Sequence, residues 1–347
     1  MLQKHCMKHR DKFLVDSVNG YSILDGANGV DMPYKELAEA LQHVSDNTVL
    51  QLLCGEYEID HIGIDKFVDI VGVGETTILK VTNDIGFNIK SPCSFALCSI
   101  TFGKEGNSVA FEVNTEELIL SNMWFTVHNK KATYIHANSY SGVKIISPHV
   151  EGICSSFVAA EEKADVIVSN PDIDMEYVQA CLLSTSKGSI DVQGGTLNVF
   201  AGHVYSGKGC IKGTKISGSG RVLCRLYSDS IIAYSNIYQN SQISDCAVEL
   251  HGGSIVDTYI NSKSAGVCCK QPTTFKNSEV RSRINSLILS ECGVSLYNSY
   301  IVSENVPIGY EGVCSVGTDN SLLVSLSNKD VDEHSIYYKD AHVDSRR

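Results

Sequence analysis

The sequence predicts an all-β chain wound as a single-stranded, right-handed parallel β-helix of about 11–12 coils, with a short N-terminal capping helix. Three observations carry this. Apolar and polar residues alternate at a period of two, which turns one face of each short strand inward. Gly, Ser, Asn and β-branched residues are plentiful while Pro occurs six times in 347 residues, which suits many short strands joined by turns. An eight-residue phrase also recurs: apolar at the third place, Asn, Gly or Ser at the fifth, apolar at the eighth.

The copies are FALCSITF (95), LILSNMWF (118), VKIISPHV (143), VIVSNPDI (166), IDVQGGTL (190), GCIKGTKI (209), IIAYSNIY (231), VELHGGSI (248), TTFKNSEV (273), VSLYNSYI (294) and VSLSNKDV (324). Their mean step is about 23 residues. The fifth places are Ser99, Asn122, Ser147, Asn170, Gly194, Gly213, Ser235, Gly252, Asn277, Asn298 and Asn328. Asn and Gly accept left-handed backbone angles, so each copy reads as strand, one-residue bend, strand. If each period is one coil, the bends stack in a column and strands one coil apart pair in parallel, about 4.8 Å away. Stacked Asn amides then hydrogen-bond along the column. A helical repeat would show a 3.6 period and a leucine-rich repeat fixed Leu positions; neither is present.

Taken in order, residues 1–47 form an N-terminal segment and capping helix. Tyr34, Leu37, Leu41 and Val44 stand at helical spacing within residues 33–45, with Pro33 suited to the first turn. A cap is required because the end of a β-helix exposes unpaired strand edges. Residues 48–331 form the parallel β-helix. Residues 332–347 are a polar C-terminal tail: a cap, an oligomer contact or a loose end.

Composition excludes several functions. The net charge is −12 and the seven Arg are scattered, which argues against nucleic acid and against an anionic membrane. The basic start leads into no apolar run, so no signal peptide is read, and no stretch is long enough to span a bilayer. Thirteen Cys contain no CxxC pair, so no zinc site is read; they suit free thiols in the core of a protein made in a reducing cytoplasm. No metal and no cofactor is expected.

The segment TVLQLLCGEYEIDHIGIDKFVDIVGVGETTIL (48–79) resembles the entry to the pectin-lyase-like right-handed parallel β-helix superfamily. The pattern there is a strand, Gly-x-Tyr, then a strand ending in Gly-x-Gly before Thr-Ile. The preceding ILDGANGVDMPYKELAEALQHV looks like the short helix that often comes before it. The resemblance covers residues 21 to 330 and implies the fold. The superfamily includes polysaccharide lyases, glycoside hydrolases, phage tailspikes and other virion proteins, so it leaves function open.

Stacking turns equal places in successive copies into neighbours. His149 and Asp172 occupy the first outward place after the bend, and Glu151 and Asp174 lie two places on. These four are the candidate catalytic residues, with Trp124 and Thr126 one coil before and Thr196 and Asn198 one coil after. Two carboxylates beside an aromatic platform are what glycoside hydrolysis needs: one protonates the leaving oxygen, the other activates water or attacks the sugar. The plainer reading is a solvated face, polar because it meets water. Trp124, Tyr297 and Tyr300 are candidate sugar-stacking residues, with packing as their alternative role.

The motifs of enzyme families with this fold are mostly missing. Of the polygalacturonase-like set, Asn170-Pro171-Asp172 matches Asn-x-Asp in form, His203 lacks the second Gly of Gly-His-Gly, and no Asp-Asp pair occurs. The sequence therefore leans away from an enzyme. Its main functional expectation is a structural or binding virion component, a capsid-associated, decoration or tail protein. By family analogy this component forms a homotrimer and meets other virion proteins. The alternative is a polysaccharide-degrading enzyme, a glycoside hydrolase or lyase, using the outward carboxylate patch. A carbohydrate-binding protein without turnover stands between the two.

Overall fold

The computed structural model describes residues 10–242, 245–326 and 342–345. It is a parallel β-helix of about 12 turns. Its strands form one 23-stranded and one 14-stranded sheet, and pairing between the described strands is parallel throughout. Inward Ile, Val, Leu and Phe fill the coil interior as one continuous core. Two aromatic clusters stand out within it. Phe87, Phe95 and Phe111 pack with ring centroids 4.9–5.4 Å apart. Phe125, Tyr134 and Phe157 pack at 5.0–5.8 Å. Among the described residues, no helix is long and apolar enough to cross a membrane.

At the N-terminal end, strand Lys12–Val15 pairs with Thr48–Leu52. The helix spans Leu37–His43, shorter than the 33–45 expected. Backbone pairing explains the late start: Tyr34 donates to the Leu14 carbonyl at 3.0 Å and Lys35 to the Tyr21 carbonyl at 3.0 Å. Those amides are committed to bridges, so Pro33 lies outside the helix. Tyr34, Leu37, Leu41 and Val44 are all buried, as their spacing implied.

The corners largely follow the phrase. Asn122, Ser147, Asn170, Gly194, Gly213, Asn277 and Asn298 adopt positive φ of 47–71°. Three copies are out of register. The corner of the 95 copy is Leu97, and Ser99 pairs with Trp124 two places beyond it. In the 231 copy it is Tyr234 rather than Ser235, and in the 248 copy it is Asp257, with Gly252 inside strand Val248–Val256. The last described corner is Asn320; Asn328 and residues 332–341 and 346–347 of the expected tail lie outside the described residues. At each of these corners except Gly194, the residue immediately after the bend is buried.

In the C-terminal half that residue is a hydroxyl. Thr214, Ser235, Thr258, Ser278, Ser299 and Ser321 stack inside the corner, and from Ser235 onward each side chain accepts the amide of its counterpart one coil before at 3.0–3.4 Å. Outside the same corner, Asn320 donates to Asn298, Asn298 to Asn277 and Asn277 to Asp257 at 2.8–3.3 Å. Asn298→Ala would break two of these bonds and leave at φ 47° a residue without the short polar side chain that eases Asn into this region, costing about 1–2 kcal/mol. Asn298→Gly loses the bonds but not the backbone fit. The expected order of thermal midpoints is wild type, then Gly, then Ala.

The twelve cysteines among the described residues are free. Burial pushes the thiols of Cys93, Cys98, Cys154 and Cys181 up to about 12, keeping them protonated packing groups.

On the large sheet, His136 sits between two carboxylates, Nδ1 at 3.0 Å from Glu112 and Nε2 at 3.5 Å from Glu161. The Glu112 hydrogen bond raises the imidazole above its ordinary 6.5 against the pull of burial. Burial pushes Glu112 up, but bonds from His136 and Asn138 outweigh it and hold the carboxyl below 4.5. The histidine's contribution is present below its unfolded value and lost as pH rises through its raised one. The carboxylate's is present above about 4.5 and lost on acidification. Replacing His136 with Gln should therefore lower stability more near pH 5.5 than at pH 8.5. Urea melts at the two values check this.

Candidate functional site

The 14-stranded sheet carries the site. Strands Trp124–His128, His149–Cys154, Asp172–Val178 and Thr196–Ala201 lie side by side in it. Their inward residues, among them Phe125, Val150, Ile173 and Leu197, are buried and hold the strands on the core. The outward register is the expected one. Trp124 pairs with His149, His149 with Asp172 and Asp172 with Thr196 in one row. Thr126, Glu151, Asp174 and Asn198 form the row two places on.

Side-chain contacts follow from this stacking. His149 Nδ1 lies 3.0 Å from an oxygen of Asp172, and its Nε2 lies 3.8 Å from Glu151. The Thr126 hydroxyl donates to Glu151 at 3.4 Å. Asn198 Nδ2 donates to Asp174 at 2.7 Å, and Ser217 donates to Asn198 at 3.0 Å. Glu151 is thus drawn toward the preceding strand and Asp174 toward the following one. Their carboxyls bond to opposite neighbouring strands.

A groove of about 860 Å³ opens over the second row and beyond it. Thr126, Glu151, Asp174 and Asn198 line one side, and His128, Lys130, Glu176, Tyr177 and Phe200 the other. His149 and Asp172 pair with each other at its margin and do not line it. A β-bulge shapes it: the register shifts after Gly152, so Met175 faces Gly152 and Tyr177 faces Ile153, leaving Glu176 as the extra residue. Bulges re-aim side chains in this way. Phe200 is 72% exposed and Tyr177 37%, and Lys130 Nζ sits 5.8 Å from the Tyr177 ring centre. Among the described lining residues, three carboxylates, Glu151, Asp174 and Glu176, face one lysine and no arginine.

Sequence reasoning missed His128, Lys130, Glu176, Tyr177 and Phe200. Following each strand two places further would have reached His128 and Phe200. The bulge hides Glu176 and Tyr177, because it breaks the period-two count. Of the three proposed stacking residues, Trp124 is half-buried beside His149. Tyr297 and Tyr300 flank the Asn298 corner on different sheets. Tyr300 stands six strands along from Asp172, about 29 Å away at the usual spacing. The structure does not bring them to the carboxylates. Among the described residues, no group of three or more His, Cys, Asp or Glu is placed to hold a metal ion.

No family model and no curated protein matches the sequence. Solved structures do match by fold. The Agl-KA catalytic domain aligns over 78% of this chain and 63% of its own length, with a TM-score of 0.58 and 11% identity. The catalytic domain of a GH87 α-1,3-glucanase variant in complex with tetrasaccharides aligns over 87% and 69%, at 0.50 and 12%. Pectin methylesterase from carrot aligns over 72% and 83%, at 0.43 and 12%. The chain thus spans under two thirds of the first of these. The likeness is one of fold, and it agrees with the pectin-lyase-like resemblance of residues 48–79. It also corrects the main functional expectation. The first two neighbours are enzyme catalytic domains, one of them that of a GH87 α-1,3-glucanase, so the virion component gives way to its alternative.

Proposed function

We propose that this chain is a polysaccharide-degrading enzyme, a glycoside hydrolase, working in the groove above Glu151 and Asp174. The observation that carries this is the coincidence in one groove of paired carboxylates with an exposed aromatic rim, Phe200 and Tyr177. Carboxylates supply the acid and base that glycosidic cleavage requires. Aromatic faces supply an apolar platform for a sugar ring.

Hydrolysis is favoured over lyase or esterase action on a uronate. A uronate glycan would bring negative charge against three carboxylates with one lysine to offset them. A neutral glycan meets no such repulsion. The divergence of Glu151 toward Thr126 and of Asp174 toward Asn198 leaves room for water between the carboxyls. That arrangement suits a single displacement with inversion, one carboxyl protonating the leaving oxygen and the other activating the water. His149 and Asp172, bonded to each other at the margin, position Glu151 through the imidazole.

The α-1,3-glucanase among the structural neighbours makes α-1,3-linked glucan the first substrate to try. The test is release of new reducing ends from neutral glycans by the purified chain. Turnover of one of them supports the proposal. No turnover across α- and β-linked glucans, galactans, xylans and mannans would overturn it.

A further inference from the structure

We infer that the outward face of the 14-stranded sheet extends the groove into a track for an extended neutral polysaccharide lying along the helix axis, with Tyr238, Tyr259 and Tyr300 as its distal sugar platforms. This rests on the hydrolase reading for the identity of the ligand, and on geometry of its own for the site.

The strands run across the axis, so residues in register on successive strands run along it. The first outward row continues from Asp172 through Thr196, Lys215 and Asn236 to Tyr259, Glu279 and Tyr300. The second continues from Asp174 through Asn198 and Ser217 to Tyr238, Asn261 and Arg281. Directly beyond the groove, the second row is therefore short and polar, with Ser217 bonded to Asn198, while Lys215 stands beside it in the first. The face then rises into rings. Tyr238 and Tyr259 are diagonal neighbours with centroids 5.8 Å apart, and the Arg281 guanidinium lies 5.9 Å from the Tyr300 ring centre.

All three tyrosines are half-exposed, while the residues between them, such as Ile237 and Ile260, are fully buried. Each ring thus shows part of its apolar surface to solvent beside amide and guanidinium donors, Asn236, Asn261 and Arg281. That alternation of apolar ring and polar donor is what a hydroxylated ring recognises. The strand spacing of about 4.8 Å is comparable to the length of one sugar unit. Tyr238 stands three strands from Asp174, so a ligand must be about four or more units long to touch both.

The experiment measures binding of two-unit and eight-unit neutral oligosaccharides (α- and β-linked glucans, galactans, xylans and mannans) to the full chain by calorimetry. The wild type should bind an eight-unit ligand at least about tenfold more tightly than its two-unit form, at a few-fold per ring. The Tyr238→Ala/Tyr259→Ala variant should lose that advantage and keep the two-unit affinity. Ser217→Trp, which fills the floor beside Tyr238 and leaves both tyrosines in the chain, should lose it too and guards against a folding defect in the first variant. Tyr140→Ala, away from this face, should change nothing. Affinity independent of length, or length dependence that survives both track variants, would overturn the inference. Turnover without length dependence overturns the track and leaves the hydrolase. Length-dependent binding without turnover keeps the track and removes the hydrolase. Absence of binding across the panel removes both.

Discussion

Replacing Asp174 with Asn should lower glycan turnover by about 10²–10⁴-fold, the usual range for losing a general acid or base. The same change should leave the fold intact. Asp174 is exposed on an outward strand position, and its side chain accepts from Asn198 at 2.7 Å. Glu151→Gln should show a loss of the same order, because each carboxyl serves a different half of the proton transfer. Asp172→Asn should cost less. Asp172 acts through His149, which lies 3.8 Å from Glu151, so its effect reaches the reaction at second hand. An Asp172 effect equal to that of Asp174 would move the chemistry to the margin of the groove. Reducing-end assays on the three variants, with melting midpoints as controls, decide this.

Phe125→Ala should be the most destabilising single change near the site, by about 3–5 kcal/mol. Phe125 is fully buried between Tyr134 and Phe157, with ring centroids at 5.0 and 5.1 Å. It is flanked in sequence by Trp124 and Thr126, which begin the two outward rows of the site. Truncating it opens a cavity that neighbouring rungs cannot close, because each strand is bonded on both sides. The strand should loosen locally as well, so hydrogen exchange should quicken at Trp124–His128 before it does in distant coils. Melts and exchange measurements together separate a general loss of stability from a local one.

The fold was legible because the chain repeats itself. A period-two pattern and Asn, Gly or Ser every 23 residues or so expressed the corner chemistry directly, and seven of those residues are corners. The misplacements at Ser99, Ser235 and Gly252 share a feature. Each true corner there precedes a buried residue, Cys98, Ser235 or Thr258; Leu97 and Tyr234 fill the bend without being typical turn formers, and Asp257, a turn former, lies outside the phrase. The buried hydroxyl column was written in the text as Asn-Ser, Asp-Thr and Gly-Thr pairs, but its meaning depends on stacking. The site was half legible. Register alone placed His149 beside Asp172 and Glu151 beside Asp174. It could not place the groove, because the bulge at Glu176 is a local departure from the period on which register reasoning depends. Tyr297 and Tyr300 looked alike in the sequence, yet the Asn298 corner between them sends them to different sheets.

The most direct measurement is a crystal structure of the Asp174→Asn variant soaked with a tetrasaccharide of the best substrate. The account expects a sugar ring against Phe200 or Tyr177 and an inter-sugar oxygen within hydrogen-bond reach of Glu151 or position 174. A tetrasaccharide bound on another face of the helix, with the groove empty, would contradict it.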